Sequence, residues 1–223
     1  KGGQYQWNQL PQAWVHSSTI CHEVIQTALE KGGAPEHLQF TNDIIVWGET
    51  AEEVYQKGKR IIDILLEAGF AIKRSKVKGP AREIQFLGVQ WQDGRRHIPQ
   101  EVVNRVATVV HPKNKKETQS FLWLVGFWKM HIPGYSQIVK PLFHVSSNLV
   151  YYYYYKNDFV WGPEQQVVFS QIKREVVQAM ALGPVQTGPE VKNVLYTVAS
   201  ENGPMWSLWQ KPPGETRGRP LGF

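Results

Sequence analysis

The hydrophobic period of the chain changes at Pro99. Before this residue, short β-prone runs alternate with two helical segments, and after it apolar residues recur at helical spacing as far as Ser147. Strand side chains repeat about every two residues and helical side chains about every 3.6, so one sheet cannot run through both parts. The sequence therefore predicts an α+β fold made of separate regions.

The first region contains two predicted helices. Residues 19–31 carry apolar side chains at helical spacing, with Thr19 as the predicted N-cap. Residues 50–68 are predicted to form the second helix, because Thr50 and Glu53 make a capping box at its start. The expected apolar face of this second helix comprises Val54, Ile61, Ile62, Leu65 and Leu66.

A β-hairpin is predicted after each helix. The first joins the runs HLQF and IIVWG through Thr41, Asn42 and Asp43, which are expected at its tip. The second joins EIQFLGVQW to RRHI through the turn dipeptide Asp93–Gly94.

Helices dominate the chain beyond Pro99. They are predicted at residues 100–110 and 115–130, in a shorter piece after Pro133–Gly134, and at residues 163–179.

The C-terminal part returns to strands. The runs VLYTVA and MWSLWQ are predicted to pair around an Asn202–Gly203 turn. The tail PPGETRGRPLGF has no periodicity and is predicted to be a loop.

The charge balance permits a polyanionic partner. Lys and Arg total 25 against 19 Asp and Glu, which gives a net charge of +6. Each basic cluster also has a simpler interpretation as a solvated surface. The clusters are Lys73, Arg74, Lys76, Lys78 and Arg82; Arg95 and Arg96; and Lys113, Lys115 and Lys116.

Several classes of protein are disfavoured by the sequence. Cys21 is the one cysteine, so no intrachain disulfide can form, and the scattered histidines make no zinc-type cluster. No apolar run approaches the ~20 residues that cross a bilayer, and the N-terminus lacks a signal-peptide pattern. We therefore expect a soluble intracellular protein with no membrane partner.

Four motifs mark the chain in order: Leu10–Pro11–Gln12, Phe86–Leu87–Gly88, KKETQSFLWLVGFWKMHIPGYSQIVKPL at residues 115–142, and WGPEQ at residues 161–165. Their order resembles that of retroviral reverse transcriptases, and points to the pol genes of endogenous retroviruses, the avian ones in particular. The second motif looks like the primer-grip hairpin, the third like the thumb, and the fourth like the start of the connection segment before an RNase H domain.

The resemblance implies a division of the chain. Residues 1–98 would form a partial palm with the primer grip, and residues 99–147 a helical thumb. Residues 148–159, which include the run Tyr151–Tyr155, would be a Tyr-rich linker, and residues 160–223 a connection-like α/β segment. The fingers and the first palm strands are expected to be absent.

The family's chemistry is phosphoryl transfer by two Mg²⁺ ions held by three carboxylates. By resemblance, Asp43 matches one aspartate of the Tyr-x-Asp-Asp hairpin and is a weak candidate metal ligand. Asn42 replaces the other aspartate, and the third is expected upstream of Lys1. Lys76 matches a palm lysine that acts as a general acid. These departures predict a degenerate polymerase that does not hold Mg²⁺ stably and does not synthesise DNA.

The resemblance also implies contacts with nucleic acid. Weak, sequence-independent backbone binding is expected from the palm, primer grip and thumb. The candidate residues are Gln12, Phe86, Leu87, Gly88, Arg95, Arg96, Lys113, Lys115 and Lys116.

Two further departures fit a decayed copy of the family. Ala13 stands where the family has a glycine, and a glycine there suggests a backbone dihedral or close approach that alanine would disturb. Trp123 also replaces a glycine, and is expected to crowd a packed helix.

Two other functions remain open at this stage. An active polymerase would need its missing aspartate from another chain, which Asn42 disfavours. A domesticated, non-enzymatic fragment would instead bind a protein partner through surface that the lost fingers expose.

Overall fold

The structure is a computed structural model that describes residues 9–11, 13–146, 159–186, 188–201 and 203–223. The Tyr151–Tyr155 run lies outside these residues. The chain forms two compact units, Lys1–Phe86 and Leu87–Phe223, called here the N-terminal unit and the C-terminal unit.

The N-terminal unit contains two helices and three short strands. In chain order they are α1 (Ser17–Lys31), β1 (Leu38–Phe40), β2 (Asp43–Ile45), α2 (Ala51–Glu67) and β3 (Glu83–Phe86), with a 3-10 turn at Arg74–Lys76 before β3.

Helix α1 begins two residues earlier than Thr19, so the predicted N-cap is wrong. The residue before the helix is His16, which makes no side-chain cap hydrogen bond, and Thr19 lies within the first turn. The C-terminus follows the sequence: Gly33 has φ 61°, and Ala34 N–H donates to Leu29 O at 3.0 Å. This is the hydrogen bond of a Schellman motif, which a left-handed glycine favours.

Helix α2 has the predicted cap with one change. Thr50 Oγ1 accepts from Glu53 N–H at 3.1 Å, while the Glu53 carboxylate accepts from Glu49 N–H at 2.9 Å instead of from Thr50. The hydrogen bond from Lys57 is the largest cause that holds the pKa of Glu53 below its ordinary value. The helix starts where the sequence indicates, and the acidic side chain satisfies a backbone donor outside it.

The core of the N-terminal unit lies between α1 and α2. Leu66 was expected in this core, but its side chain is half exposed. Ile64, two residues earlier, lies on the buried face of the helix instead. The buried residues are Ile25, Leu29, Ile61, Ile64 and Leu65, with Cys21 partly buried beside them.

The C-terminal unit combines helices with two strand groups. Its elements are β4 (Val89–Gln92), β5 (Arg95–His97), α3 (Gln100–Thr108), α4 (Lys115–Gly126), α5 (Tyr135–Ile138), α6 (Lys140–Ser146), α7 (Pro163–Val177), β6 (Lys192–Ser200), β7 (Gly203–Lys211) and β8 (Arg219–Gly222).

The helices of this unit share one larger core. The helix predicted at residues 115–130 ends at Gly126 and is followed by a 3-10 turn at Lys129–His131. Ile132, which precedes Pro133, is extended, as a residue before proline prefers. The core comprises Val106, Phe121, Leu122, Val125, Ile132, Tyr135, Val139, Leu142, Val168, Phe169, Ile172 and Val176.

Strands β6, β7 and β8 form an antiparallel sheet in that order. The β6–β7 hairpin is the predicted one, with Ser200 opposite Gly203. The tail was predicted to be a loop, and this is wrong, because Arg219 to Gly222 pair with β7 and bury Leu221. The tail lacks the alternation of polar and apolar residues that marks a strand. Pairing with β7 stabilises the strand where the local sequence does not favour one.

None of the helices in the described ranges is long and apolar enough to cross a membrane.

Candidate functional site

The β1–β2 hairpin carries Asn42 and Asp43, the positions compared with the family's metal-binding aspartates. Phe40 pairs with Asp43, so the turn consists of Thr41 and Asn42, and Asp43 is the first residue of β2 instead of lying at the tip. Thr41 has φ 55°, which a non-glycine residue adopts only in tight turns. Both Asn42 and Asp43 are exposed.

Helix α1 holds this turn in place. Thr41 N–H donates to His22 Nδ1 at 3.2 Å, so this ring nitrogen is the acceptor. Gln39 Nε2 donates to both His22 O at 3.1 Å and Thr41 O at 3.0 Å. The backbone of the hairpin is thereby anchored to α1.

The donor set at the hairpin does not fit a pair of Mg²⁺ ions by itself. Asp43 offers one carboxylate, and the neutral amide of Asn42 offers an oxygen without charge. Among the residues that the structure describes, no three His, Cys, Asp or Glu side chains come together as a metal site.

Lys76 and its basic neighbours lie on an exposed segment of the N-terminal unit. Lys76 ends the 3-10 turn, and its N–H donates to Lys73 O at 2.8 Å. The structure assigns no hydrogen-bonding or ion-pair partner to its side chain within the described residues, so its suggested role as a general acid stays a prediction.

The primer-grip candidates surround a tight turn that the sequence did not indicate. Phe86 is buried at the end of β3, and the next two residues, Leu87 and Gly88, have φ 52° and 78°. Positive φ at both central positions is typical of a type I′ turn. The run EIQFLGVQW is therefore two strands, and the predicted single strand is wrong.

The Asp93–Gly94 turn confirms the second hairpin and presents two arginines. Asp93 and Gly94 have φ 49° and 72°, and Trp91 pairs with Arg96. Arg95 is exposed.

Arg96 is occupied within the C-terminal unit. Its guanidinium donates to Leu221 O at 3.1 Å, and its backbone exchanges hydrogen bonds with Leu182 at 2.9 and 3.0 Å. Burial lowers the pKa of Arg96. Of the two arginines, Arg95 is the one placed to meet a polyanion.

Lys113, Lys115 and Lys116 surround the start of α4. Asn114 is the N-cap and accepts from Glu117 N–H at 2.9 Å, while the Glu117 carboxylate accepts from Lys113 N–H at 2.8 Å. Lys113 and Lys116 are exposed, and Lys115 is half-buried.

Sequence reasoning missed an aromatic stripe on the same helix. Trp123 is 83% exposed and Phe127 is 63% exposed. Lys116, Ser120, Trp123 and Phe127 are spaced by four, three and four residues, which places them along one face of α4 and its C-cap. The expectation that Trp123 crowds a packed helix is wrong, because it lies opposite the face that buries Phe121 and Val125. A helical projection of residues 115–126 would have shown that Trp123 lies on the exposed face.

The segment before α1 is described only in part. Gln12 lies outside the described residues, so its predicted contact stays a prediction. Ala13 has φ 63°, the left-handed dihedral that the glycine of the family pattern suggested.

Comparison with known proteins shows what the chain is similar to. A family model described as reverse transcriptase (RNA-dependent DNA polymerase) matches residues 1–91. The Gag-Pol polyprotein of feline leukemia virus is 26% identical over 185 residues, and that of avian reticuloendotheliosis virus is 24% identical over 188. The Pro-Pol polyprotein of simian foamy virus type 1 is 29% identical over 148 residues.

The chain is similar to the reverse transcriptase part of retroviral polyproteins. The retroviral kind that the motifs indicated is confirmed, and an avian virus is among the relatives together with feline and primate viruses. The three alignments cover 81%, 82% and 66% of this segment. The segment spans only 10%, 16% and 13% of those polyproteins.

Solved reverse transcriptases share the fold of the segment. A foamy viral protease-reverse transcriptase in complex with double-stranded DNA aligns with a TM-score of 0.79 at 24% identity, over 97% of this chain and 36% of that one. The foamy viral protein in complex with an RNA/DNA hybrid aligns with a TM-score of 0.76 at 22% identity, over 96% and 28%. At this identity the likeness establishes the fold alone.

Proposed function

We propose that this reverse transcriptase segment binds the backbone of duplex or hybrid nucleic acid weakly, without sequence preference, and does not catalyse DNA synthesis. The observation that carries the proposal is the hairpin turn at which neutral Asn42 stands beside the single carboxylate of Asp43.

The loss of catalysis follows from charge. Two divalent cations held about 3.5–4 Å apart repel each other strongly unless several anions share them. Asn42 removes one of those anions at a position whose backbone is still anchored to α1. In this proposal Asp43 is a remnant ligand that does not hold Mg²⁺ stably, and Lys76 has no reaction to serve as general acid.

Nucleic-acid binding is supported by the cations and aromatic side chains of the C-terminal unit. Arg95, Lys113 and Lys116 are exposed, and two of them lie at the start of α4. Trp123 and Phe127 continue along the same helix as apolar surface on which bases or sugars can pack. The foamy viral relatives were solved with double-stranded DNA and with an RNA/DNA hybrid, which supports the same class of ligand here.

The proposal also assigns subdomains and origin. Residues 1–98 would be a partial palm, residues 99–147 a thumb, and residues 160–223 a connection-like segment. The substitutions at Ala13 and Asn42 support decay of an endogenous retroviral copy.

Fluorescence anisotropy with a labelled duplex tests the binding. About three or four phosphate contacts imply micromolar-range affinity near physiological salt, and each adds roughly 0.9 to the slope of log affinity against log salt. Neutralising Lys113, Lys115 and Lys116 together to Gln should reduce the magnitude of that slope by up to roughly 2.7. The affinity should be the same for unrelated duplex sequences.

A matched variant separates these contacts from net charge. Replacing Lys31, Lys59 and Lys140 with Gln changes the formal charge by the same amount at exposed positions elsewhere. This control should keep most of the affinity and slope. Undetectable binding at low salt, or equal losses in both variants, would contradict the proposal and favour the protein-interaction alternative.

A further inference from the structure

A histidine ties the hairpin that carries Asn42 and Asp43 to helix α1. His22 is half-buried, and its Nδ1 accepts a hydrogen bond from Thr41 N–H at 3.2 Å. A ring nitrogen that accepts a hydrogen bond carries no proton, so the neutral ring of His22 has its proton on Nε2. Both residues lie within the N-terminal unit.

This contact supports an unfavourable backbone conformation. Thr41 has φ 55°, and a β-branched residue keeps a positive φ only where its surroundings impose it. Its N–H is held by His22 Nδ1, and its C=O accepts from Gln39 Nε2 at 3.0 Å. Because the N–H and the C=O lie on opposite sides of the Cα atom, the two hydrogen bonds together fix both dihedral angles of Thr41.

Protonation of His22 removes one of these two hydrogen bonds. Both ring nitrogens of an imidazolium are donors, so Nδ1–H would meet Thr41 N–H, and two donors cannot bond to each other. The hydrogen bond from Gln39 to Thr41 O does not depend on the charge of the ring. Thr41 then loses the contact that fixes its φ, while its C=O stays attached.

A second histidine of the same unit has the opposite arrangement. His37 Nδ1 lies 2.7 Å from Pro35 O. A carbonyl oxygen only accepts, so this Nδ1 carries the proton and donates it to the hydrogen bond. A further proton would go to Nε2 and leave the hydrogen bond in place. Of the two histidines, only His22 makes a hydrogen bond that requires its neutral form.

The charged groups of the elements around His22 give its ring no fixed partner. Within the described residues, none of these side chains makes a hydrogen bond or an ion pair with the ring. A positive charge on His22 is therefore not held in place by a carboxylate. The titratable groups are Cys21 and Glu23 on α1, Asp43 on β2, and Arg60, Asp63 and Glu67 on the half of α2 that packs against α1.

We propose that His22 is a positioning residue that holds the Asn42–Asp43 turn when its ring is neutral and releases it when the ring is protonated. Histidine is the side chain that ordinarily changes charge between pH 5 and 8. The turn is then held near neutral pH and loosened in mild acid. This inference concerns the shape of the turn, and it stands apart from whether the chain binds nucleic acid.

Nuclear magnetic resonance of the full, isotope-labelled chain between pH 7.5 and 5.5 tests the switch. The amide signals of Thr41, Asn42 and Asp43 should move or broaden with the same midpoint as the ring signals of His22. Protection of the Thr41 amide from solvent exchange, corrected for the intrinsic effect of pH on exchange, should fall several-fold. Turn signals that stay constant while the His22 ring titrates would overturn the proposal, as would a ring that stays neutral down to pH 5.5.

Two asparagine variants are the matched controls. His22→Asn keeps an acceptor close to the position of Nδ1 and removes the titrating ring, so the turn signals should be the same at both pH values. His37→Asn removes a ring that bonds to Pro35 instead of the turn, and it should leave the midpoint of the turn unchanged. A turn that still titrates in His22→Asn responds to another group, and the proposal is then wrong. If His22→Asn does not fold, the midpoints in the unaltered chain and in His37→Asn decide.

Discussion

The two units of the molecule differ in how much core supports their functional residues. In the N-terminal unit, five buried side chains lie between two helices, and the hairpin with Asn42 and Asp43 is exposed beside them. In the C-terminal unit, twelve buried side chains form the core against which α4 packs, and this helix carries Lys115 and Lys116 and directly follows Lys113 and its cap. The comparison teaches that the candidate binding residues and the candidate catalytic residues lie on differently supported parts of the chain, so under the proposed function backbone binding would depend on the better supported unit.

The largest expected effects come from removing one fully buried side chain from each core. Leu29→Ala in the N-terminal unit and Ile172→Ala in the C-terminal unit should each cost about 2–5 kcal/mol of the free energy of unfolding. Hydrogen exchange followed by mass spectrometry should show the loss of protection confined to the unit that carries the substitution. Equal loss in both units after either substitution would mean that they unfold together, and the comparison would fail.

The helix caps offer a smaller, matched pair. Thr50 caps α2 in the N-terminal unit and Asn114 caps α4 in the C-terminal unit, and each accepts an N–H three residues on. Thr50→Ala and Asn114→Ala should each cost about 1 kcal/mol, measured by chemical denaturation. The replacements Thr50→Ser and Asn114→Asp keep the acceptor and should retain most of the stability. A clearly larger loss of stability for Asn114→Ala than for Thr50→Ala would indicate that the position of the Glu117 side chain also depends on Asn114.

The weakest effect is a pH dependence restricted to the C-terminal unit. Burial, with smaller contributions from the nearby charges of Arg96 and His97, lowers the pKa of His131 below its ordinary 6.5. Since the unfolded chain then takes up the proton first, this unit should lose stability as pH falls below about 6.5 towards the lower folded pKa.

Thermal unfolding at pH 7.5 and 5.5 measures this dependence. His131→Gln should reduce the difference in melting temperature between the two pH values, whereas His111→Gln, at an exposed position, should not. His131 Nδ1–H donates to Met180 O at 3.0 Å, so the glutamine also tests whether a neutral donor is sufficient there. An unchanged pH dependence in His131→Gln would contradict this assignment.

The sequence predicted the elements whose signals are local. The stops of α1 and α2 at glycines, the cap at Thr50, and the turns at Asp93–Gly94 and Asn202–Gly203 depend on neighbours within a few residues, and the structure confirms those it describes. Strand β8 could not be predicted, because it is stabilised by β7 and by burial of Leu221. The split of EIQFLGVQW at Leu87–Gly88 was missed because Leu87 is not a turn residue by composition.

The sequence predicted the positions of the candidate site residues better than the contacts that those residues make. The motif order placed Asn42 and Asp43 on a hairpin, but the anchoring of that hairpin by His22 joins residues 19 apart and leaves no periodic signal. Arg96 was grouped with Arg95 as a surface cation. Its half-buried guanidinium donates a hydrogen bond to Leu221 O, 125 positions away in the chain. A local sequence pattern does not encode such a contact.

Primer extension on an RNA template, run on protein that has first been shown to bind the primer–template, tests the central claim most directly. With Mg²⁺ or Mn²⁺, the chain should bind the duplex at low salt and give no product above background, because Asn42 leaves the hairpin with the single carboxylate of Asp43. Asp43→Ala should leave the binding unchanged. Robust extension by the unaltered chain that Asp43→Ala abolishes would contradict the account.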